Sequence, residues 1–185
     1  MFQYFNSFDG NMLLFIQEHL RNPILTPAFQ FITTLGNGGL IWLIIISFLL
    51  VFKKSRKTGL VALITLVMCI IINNVMLKHI IARPRPFDTL TQLQVLIKKP
   101  TDFSFPSGHT ASSFAVAGAF YYYGNKKWGI IAFLFAGLIG FSRLYLGVHY
   151  PSDVICGALS GLIISLFISR VAVYLQNRSN AILTD

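Results

Sequence analysis

Thr58 to Leu77 reads TGLVALITLVMCIIINNVML, twenty residues without one charged side chain. A helix that crosses a bilayer needs about 20 mainly apolar residues, so this stretch alone argues for a membrane protein. Lys53, Lys54, Arg56 and Lys57 precede it and Lys78 follows it. Four more uncharged stretches run from Asn22 to Phe52, Thr110 to Asn125, Trp128 to Ser142 and Val154 to Ser169. The shorter ones reach spanning length once polar flanks are added, because charges are tolerated near helix ends. Five spans are expected, over about residues 28–52, 58–80, 107–123, 128–146 and 152–174. Composition agrees: the chain is 55% hydrophobic and 11% charged, well below the charge content of a soluble domain.

A net charge of +9 could suggest nucleic acid, but much of it sits in two short connections, Lys53 to Lys57 and Lys126 to Lys127. In a five-span arrangement both connections fall on one side, together with Arg170 and Arg178, as the positive-inside rule requires of cytoplasmic loops. The N-terminus and the polar ends of the other helices then face outward. Residues 9–21 mix Leu13, Leu14, Ile16 and Leu20 with polar neighbours and read as a short amphipathic helix at the outer interface. Tyr121, Tyr122, Tyr123 and Trp128 suit the inner interface. Gly36, Gly38 and Gly39 are read as close helix packing in preference to a bend. Leu90 to Ile97 is expected to form one or two turns at the membrane surface. Cys69 and Cys156 lie in apolar runs and read as buried small hydrophobes, not as a disulfide. No cleavable leader is evident, and no repeat or second domain interrupts residues 1–185.

Ionisable groups beside long apolar runs are costly, so a cluster of them asks for a chemical reason. Lys78 and Arg85 lie at the end of the second span, Ser107, Gly108 and His109 at the start of the third, and Arg143, His149 and Asp153 around the turn joining the last two. The five-span arrangement brings all three groups to one membrane face. Pro151 suits a first helical position, which puts Asp153 in the first turn and His149 just before it. The carboxylate can then hold one imidazole nitrogen and leave the other to attack. His109 can protonate a departing oxygen and later deprotonate a water. The Ser107, Gly108 and His109 amides would be unspent donors at a helix start, a natural anion cradle. Asn74 shares a helix face with Lys78.

Singly, each residue has an ordinary explanation. Lys78, Arg83 or Arg85 could be a helix-end cation, His109 or His149 a hydrogen-bonded interfacial histidine, Ser107 or Ser142 a cap, and Asn73 or Asn74 an interhelical hydrogen bond. His19 and His79 are left with that explanation. It does not account for nucleophile, acid, orienter and anion donors gathering on one face. His109, His149 and Asp153 also have the composition of a two-histidine, one-carboxylate metal site. Three cations in the same pocket oppose that reading, since they would repel a metal ion and stabilise a phosphoryl group in flight.

These residues resemble the three signatures of the type 2 phosphatidic acid phosphatase superfamily, integral-membrane lipid phosphate phosphatases that share a core with soluble vanadium haloperoxidases. Lys78 is followed after six residues by Arg85 and Pro86; Pro106, Ser107, Gly108 and His109 form the second signature; Ser142, Arg143, His149 and Asp153 form the third. The resemblance spans residues 78–153. It implies an all-α polytopic bundle, a phosphohistidine formed on His149, orientation by Asp153 and general-acid chemistry from His109. It also implies that Lys78, Arg85, Ser107, Gly108 and Arg143 hold the phosphate, with no metal or other cofactor. Family members often have six spans, against five and an interfacial helix here. Undecaprenyl pyrophosphate is the first substrate expected, phosphatidylglycerol phosphate or phosphatidic acid the second, and a lipid phosphotransferase the alternative activity. The expected setting is a bacterial cell (inner) membrane, with the site on the extracellular or periplasmic side, a lipid phosphate or pyrophosphate substrate and membrane lipids as partners, no nucleic acid, and the oligomeric state left open. A non-catalytic lipid carrier would have lost His149, His109 or Asp153, and the apolar spans exclude a soluble haloperoxidase.

Overall fold

The computed structural model describes residues 2–182, and among them every regular element is helical. The elements are α1 (Phe2–His19), α2 (Leu25–Leu35), a 3₁₀ turn (Asn37–Gly39), α3 (Leu40–Val51), α4 (Arg56–Cys69), a π-helical stretch (Ile70–Leu77), α5 (Lys78–Ile81), α6 (Pro86–Thr89), α7 (Gly108–Tyr122), α8 (Lys126–Tyr145) and α9 (Pro151–Ile182). Large apolar side chains such as Phe48, Leu134, Ile163 and Phe167 are exposed on the outside of the bundle. An apolar exterior of that extent suits lipid and not water.

The centre of the bundle is α7, whose Ala111, Ala115, Ala117 and Ala119 are buried along with Val116 and Phe120. Small residues let neighbouring backbones approach, which is how helices associate where no hydrophobic effect drives them together. On the α9 side a Cβ at Gly161 would lie 2.4 Å from the Ala111 carbonyl oxygen, and one at Gly157 would lie 2.8 Å from that of Ser107. Trp42 and Ile46 of α3, Leu66 of α4 and Ile139 of α8 complete the core around it. The Trp42 indole donates to Ser113 Oγ at 2.8 Å, so its one polar atom is satisfied.

Three stretches are long and apolar enough to span on their own, Arg56–Thr89, Lys126–Tyr145 and Pro151–Ile182, and α2 with α3 makes a fourth only as a pair bent by 51°. The expected fifth, α7, has 15 residues. At ~1.5 Å per residue it rises roughly 22 Å, short of the ~30 Å hydrocarbon core, and its neighbours shield it from lipid. The bend corrects the packing interpretation of two glycines. Gly38 and Gly39 have φ of +58° and +73°, and Gly38 has nothing within 4 Å of where a Cβ would sit. Left-handed backbone, which glycine adopts without a steric penalty, is what breaks the span there. Gly36 does serve close packing, against His109.

Two other expectations shift. The amphipathic segment is longer than residues 9–21, running through α1, which buries Asp9, Leu13 and Ile16 against the bundle and exposes Phe8, Met12 and Phe15. The helical turn expected over Leu90 to Ile97 forms instead at Pro86–Thr89, where Pro86 opens it and the Asp88 carboxylate accepts the Arg85 amide at 3.3 Å. Proline at the first helical position and an acid at the third favour that placement. Beyond it the connection is irregular and pinned by side chains. Gln17 bonds the Gln92 carbonyl and the Gln94 amide, Arg21 the Gln94 carbonyl and Gln30 the Leu96 carbonyl, at 2.7–3.1 Å. The basic connections α3–α4 and α7–α8 lie at the opposite ends of these helices from Lys78, Ser107 and His149.

Candidate active site

A cavity of about 480 Å³ opens at the end of the bundle where α5, α7 and the α8–α9 connection meet. Lys78, Arg85, Gly108, His109, Arg143 and His149 line it. Of the eight residues singled out from the sequence, Ser107 and Asp153 stand behind the wall. Ser107 caps α7: its hydroxyl lies 2.9 Å from Thr110 Oγ1, and its amide donates to the Asp153 carbonyl at 3.1 Å. One of the three amides expected to be available at this helix start is therefore spent. Gly108 is in tight quarters, since a Cβ there would lie 2.6 Å from Asn74 Oδ1.

His149 is almost fully buried in the α8–α9 connection. Its Nδ1 faces Asp153 Oδ2 at 3.5 Å, and its Nε2 lies 3.4 Å from Arg85 Nη1 at the cavity. Burial pushes its pKa down to about 3; the Asp153 carboxylate opposes the shift, and the Arg85 and Arg143 charges reinforce it. The imidazole is accordingly neutral near pH 7, with a lone pair to offer. Asp153 is held by more than the histidine. Its Oδ2 accepts Ser104 Oγ at 2.5 Å and the Tyr150 amide at 2.9 Å, and its Oδ1 accepts Arg83 Nη1 at 2.7 Å.

Arg83 is thus more than a cation at a helix end. It also donates to Ser152 Oγ at 2.7 Å and Asp9 Oδ2 at 2.8 Å, and its guanidinium stacks 3.9 Å over the Tyr150 ring. Asp9 is 2% exposed and further accepts the Ser152 amide, so α1 reaches Asp153, which faces His149, through one arginine. Asp9→Ala removes one carboxylate from a buried ion pair, which costs on the order of 3 kcal/mol. We expect a lower Tm in detergent, together with a kcat loss larger than any change in KM.

His109 meets a residue the sequence reading missed. Its Nε2 is 2.9 Å from Asn37 Oδ1, on the turn between α2 and α3, and a Cβ on Gly36 would lie 2.7 Å from its ring. The Asn-Gly-Gly turn signal at residues 37–39 was visible, but nothing in it pointed to a histidine 72 residues away. Arg143 donates to Thr33 Oγ1, leaving its buried Nε without a partner in the described structure. Asp102, also missed, pairs with both Lys78 and Arg85. Asn73 does not bond across helices but to Cys69 of its own helix, whereas Asn74 lines the cavity. The π-helical turns that carry both asparagines end in the Lys78 amide donating to the Asn73 carbonyl, an irregularity that recurs at functional sites. Among the described residues no three His, Cys, Asp or Glu side chains are gathered to hold a metal ion.

The arrangement offers a neutral buried imidazole beside two guanidiniums and an ammonium, with a second imidazole on the facing wall. Residues 57–177 match the model of the PAP2 superfamily. The chain belongs to that superfamily. The PAP2 region takes in every site residue expected from the sequence, while Asp9, Thr33 and Asn37 lie ahead of it. An undecaprenyl-diphosphatase of the archaeon Sulfolobus acidocaldarius is 38% identical over 68% of this chain and 60% of its own length. The chain therefore spans less than two thirds of that relative. Undecaprenyl-diphosphatase BcrC of Bacillus subtilis is 32% identical over 84% of this chain and 79% of its own. The crystal structure of a transmembrane PAP2 type phosphatidylglycerolphosphate phosphatase from Bacillus subtilis superposes with a TM-score of 0.75 at 30% identity, covering 89% of this chain and 84% of that one.

Proposed function

We propose that the chain is a membrane lipid phosphatase, undecaprenyl pyrophosphate being its first substrate and phosphatidylglycerol phosphate or phosphatidic acid the next. The observation that carries this reading is His149 held between Asp153 at its Nδ1 and Arg85 at its Nε2, with that second nitrogen at the cavity. In the reaction, the Nε2 lone pair attacks the terminal phosphorus as its bond to the bridging oxygen of the pyrophosphate, or to the lipid oxygen of a monophosphate, breaks, and His109, starting as the imidazolium, gives that oxygen its proton. The product is a phosphohistidine whose Nδ1–H points at Asp153, which stabilises the added positive charge. His109, now short of a proton, takes one from water; the hydroxide attacks phosphorus, the P–N bond breaks, and His149 is neutral again. Lys78, Arg85, Arg143 and the Gly108 and His109 amides meet the charge on the equatorial oxygens, so their work is electrostatic. Asn37 Oδ1, 2.9 Å from His109 Nε2, orients the ring in the resting site, and the proton must turn from Asn37 to the departing oxygen to be delivered. Residues 1–185 act as one domain.

The two relatives called undecaprenyl-diphosphatase support the choice of a prenyl pyrophosphate. The basic connections at the far ends of the helices support a site on the outer side of the cell membrane. Purified protein in detergent with excess EDTA should release phosphate from undecaprenyl pyrophosphate faster than from phosphatidylglycerol phosphate, phosphatidic acid or lipid A. Release that requires an acceptor alcohol would make it a phosphotransferase, and loss of activity restored by added metal would revive a metal site. Cysteines introduced at Thr91, in a background free of Cys69 and Cys156, should react with an impermeant thiol reagent in intact cells. Labelling at Ser55 in their place would put the site in the cytoplasm.

A further inference from the structure

Lys78 and Arg85, two of the three cations in the cavity, are already paired with one carboxylate of the chain itself. Asp102 Oδ2 pairs with Lys78 Nζ, and Oδ1 lies 2.5 Å from Arg85 Nη2. The two cationic side chains are 6% and 3% exposed, whereas that of Asp102 is 55% exposed. Arg85 spends its other donors on the carbonyls of Asp102 at 2.7 Å, Val148 at 2.6 Å and Phe103 at 3.4 Å, besides facing His149. Those acceptors belong to main chain or to the attacking imidazole and cannot leave. The Asp102 carboxylate can, by rotating into the solvent that already reaches it. Its backbone stays in place, because Ser104 anchors the segment through its amide to the Arg83 carbonyl at 2.9 Å and through its hydroxyl to Asp153.

Any phosphate that uses Lys78 and Arg85 must therefore take them from Asp102. We propose that this carboxylate is a resident competitor that sets the selectivity of the phosphate cradle, yielding to a terminal phosphate and holding off the phosphodiester headgroups of surrounding lipids. The proposal deepens the phosphatase reading and rests on its cradle. The reason is charge. A terminal phosphate carries about −1.5 to −2 near pH 7 and three acceptor oxygens, so it gains more from the buried cations than the carboxylate loses. A phosphodiester has a single negative charge and two free oxygens, and trading it for a carboxylate gains nothing. Discrimination by an element that penalises the wrong ligand is how sites reject near neighbours. Acid does not open the clamp. Partial burial alone would raise the Asp102 pKa, but the hydrogen bonds and charges of Lys78 and Arg85 hold it down to about 2. Below its usual value the ion pairs persist, and they are lost only as pH falls through about 2.

The test is Asp102→Asn, which keeps the size and removes the charge. In micelles containing an undecaprenyl pyrophosphate substrate, added phosphatidylglycerol should inhibit the variant at least about tenfold more strongly than wild type, each measured relative to that protein's own uninhibited rate. Inorganic phosphate, titrated calorimetrically into each detergent-purified protein, should likewise bind the variant more tightly, a readout that needs no turnover. Equal or weaker inhibition and binding in the variant, with turnover intact, would overturn the competitor role and leave the phosphatase reading standing. Tighter phosphate binding in the variant, with neither protein releasing phosphate from any lipid, would sink the phosphatase reading and leave the competitor.

Discussion

His149→Ala should abolish phosphate release from any lipid substrate while leaving binding of inorganic phosphate within a few fold of wild type. The expectation follows from the division of labour in the cavity. Lys78, Arg85 and Arg143 carry the charge that attracts the anion, and none of them depends on the imidazole for its principal hydrogen bonds. His149 presents its Nε2 at the cavity beside Arg85, with its Nδ1 turned to Asp153. Deleting the nucleophile of a covalent mechanism removes the step itself, so the loss in kcat should be on the order of 10⁴-fold or more. Stability should suffer less than for a typical buried residue, because the imidazole's Nδ1 has only the 3.5 Å contact to Asp153. Single-turnover assays with quenched product, alongside calorimetric phosphate titration, separate the two quantities. Turnover within tenfold of wild type would sink the nucleophile assignment.

His109→Ala should lose roughly 10²- to 10⁴-fold in kcat on a lipid substrate, the usual span for a general acid. Unlike the first variant, it should be rescued in part by an activated aryl phosphate, whose leaving oxygen departs without a proton. Dephosphorylation would then become rate-limiting, because the same imidazole serves as base toward water, and phosphoenzyme should accumulate as an acid-labile burst. Asn37→Ala should follow it in direction with a smaller effect, since that amide holds His109 Nε2 at 2.9 Å. Equal losses on lipid and aryl phosphates would count against the acid role. So would the absence of a burst.

The apolar helices and the cavity residues Lys78, Arg85, Gly108, His109, Arg143 and His149 were legible because each is written in neighbouring residues. An uncharged run such as Thr58 to Leu77 needs no partner to be recognised, and Lys78 with Arg85, or His149 with Asp153, sit within one turn region. What stayed hidden is what depends on contact across helices. Asp9 is one acid in an amphipathic segment until α1 docks and Arg83 is found between it and Asp153. Asp102 looks like a loop residue until its segment folds back over Lys78. The bend at Gly38 and Gly39 was open to two readings, because glycine serves both tight packing and left-handed backbone, and only φ distinguishes them. The burial of α7 was not legible either, because an apolar run of small residues reads the same whether it faces lipid or, as here, is packed among neighbouring helices.

Arg85 has a consequence of another kind. One guanidinium fastens the carbonyls of Asp102, Phe103 and Val148, pieces of chain more than forty residues apart that belong to no common helix. The pocket therefore exists only once the long connection after α6 has closed over the α8–α9 turn. A chain that has inserted all its helices but not made that closure would look complete by length, helicity and membrane extraction, and would still have no place for phosphate. Phosphate affinity thus doubles as an assay of maturation, reporting a tertiary closure that spectroscopy of the helices would not register.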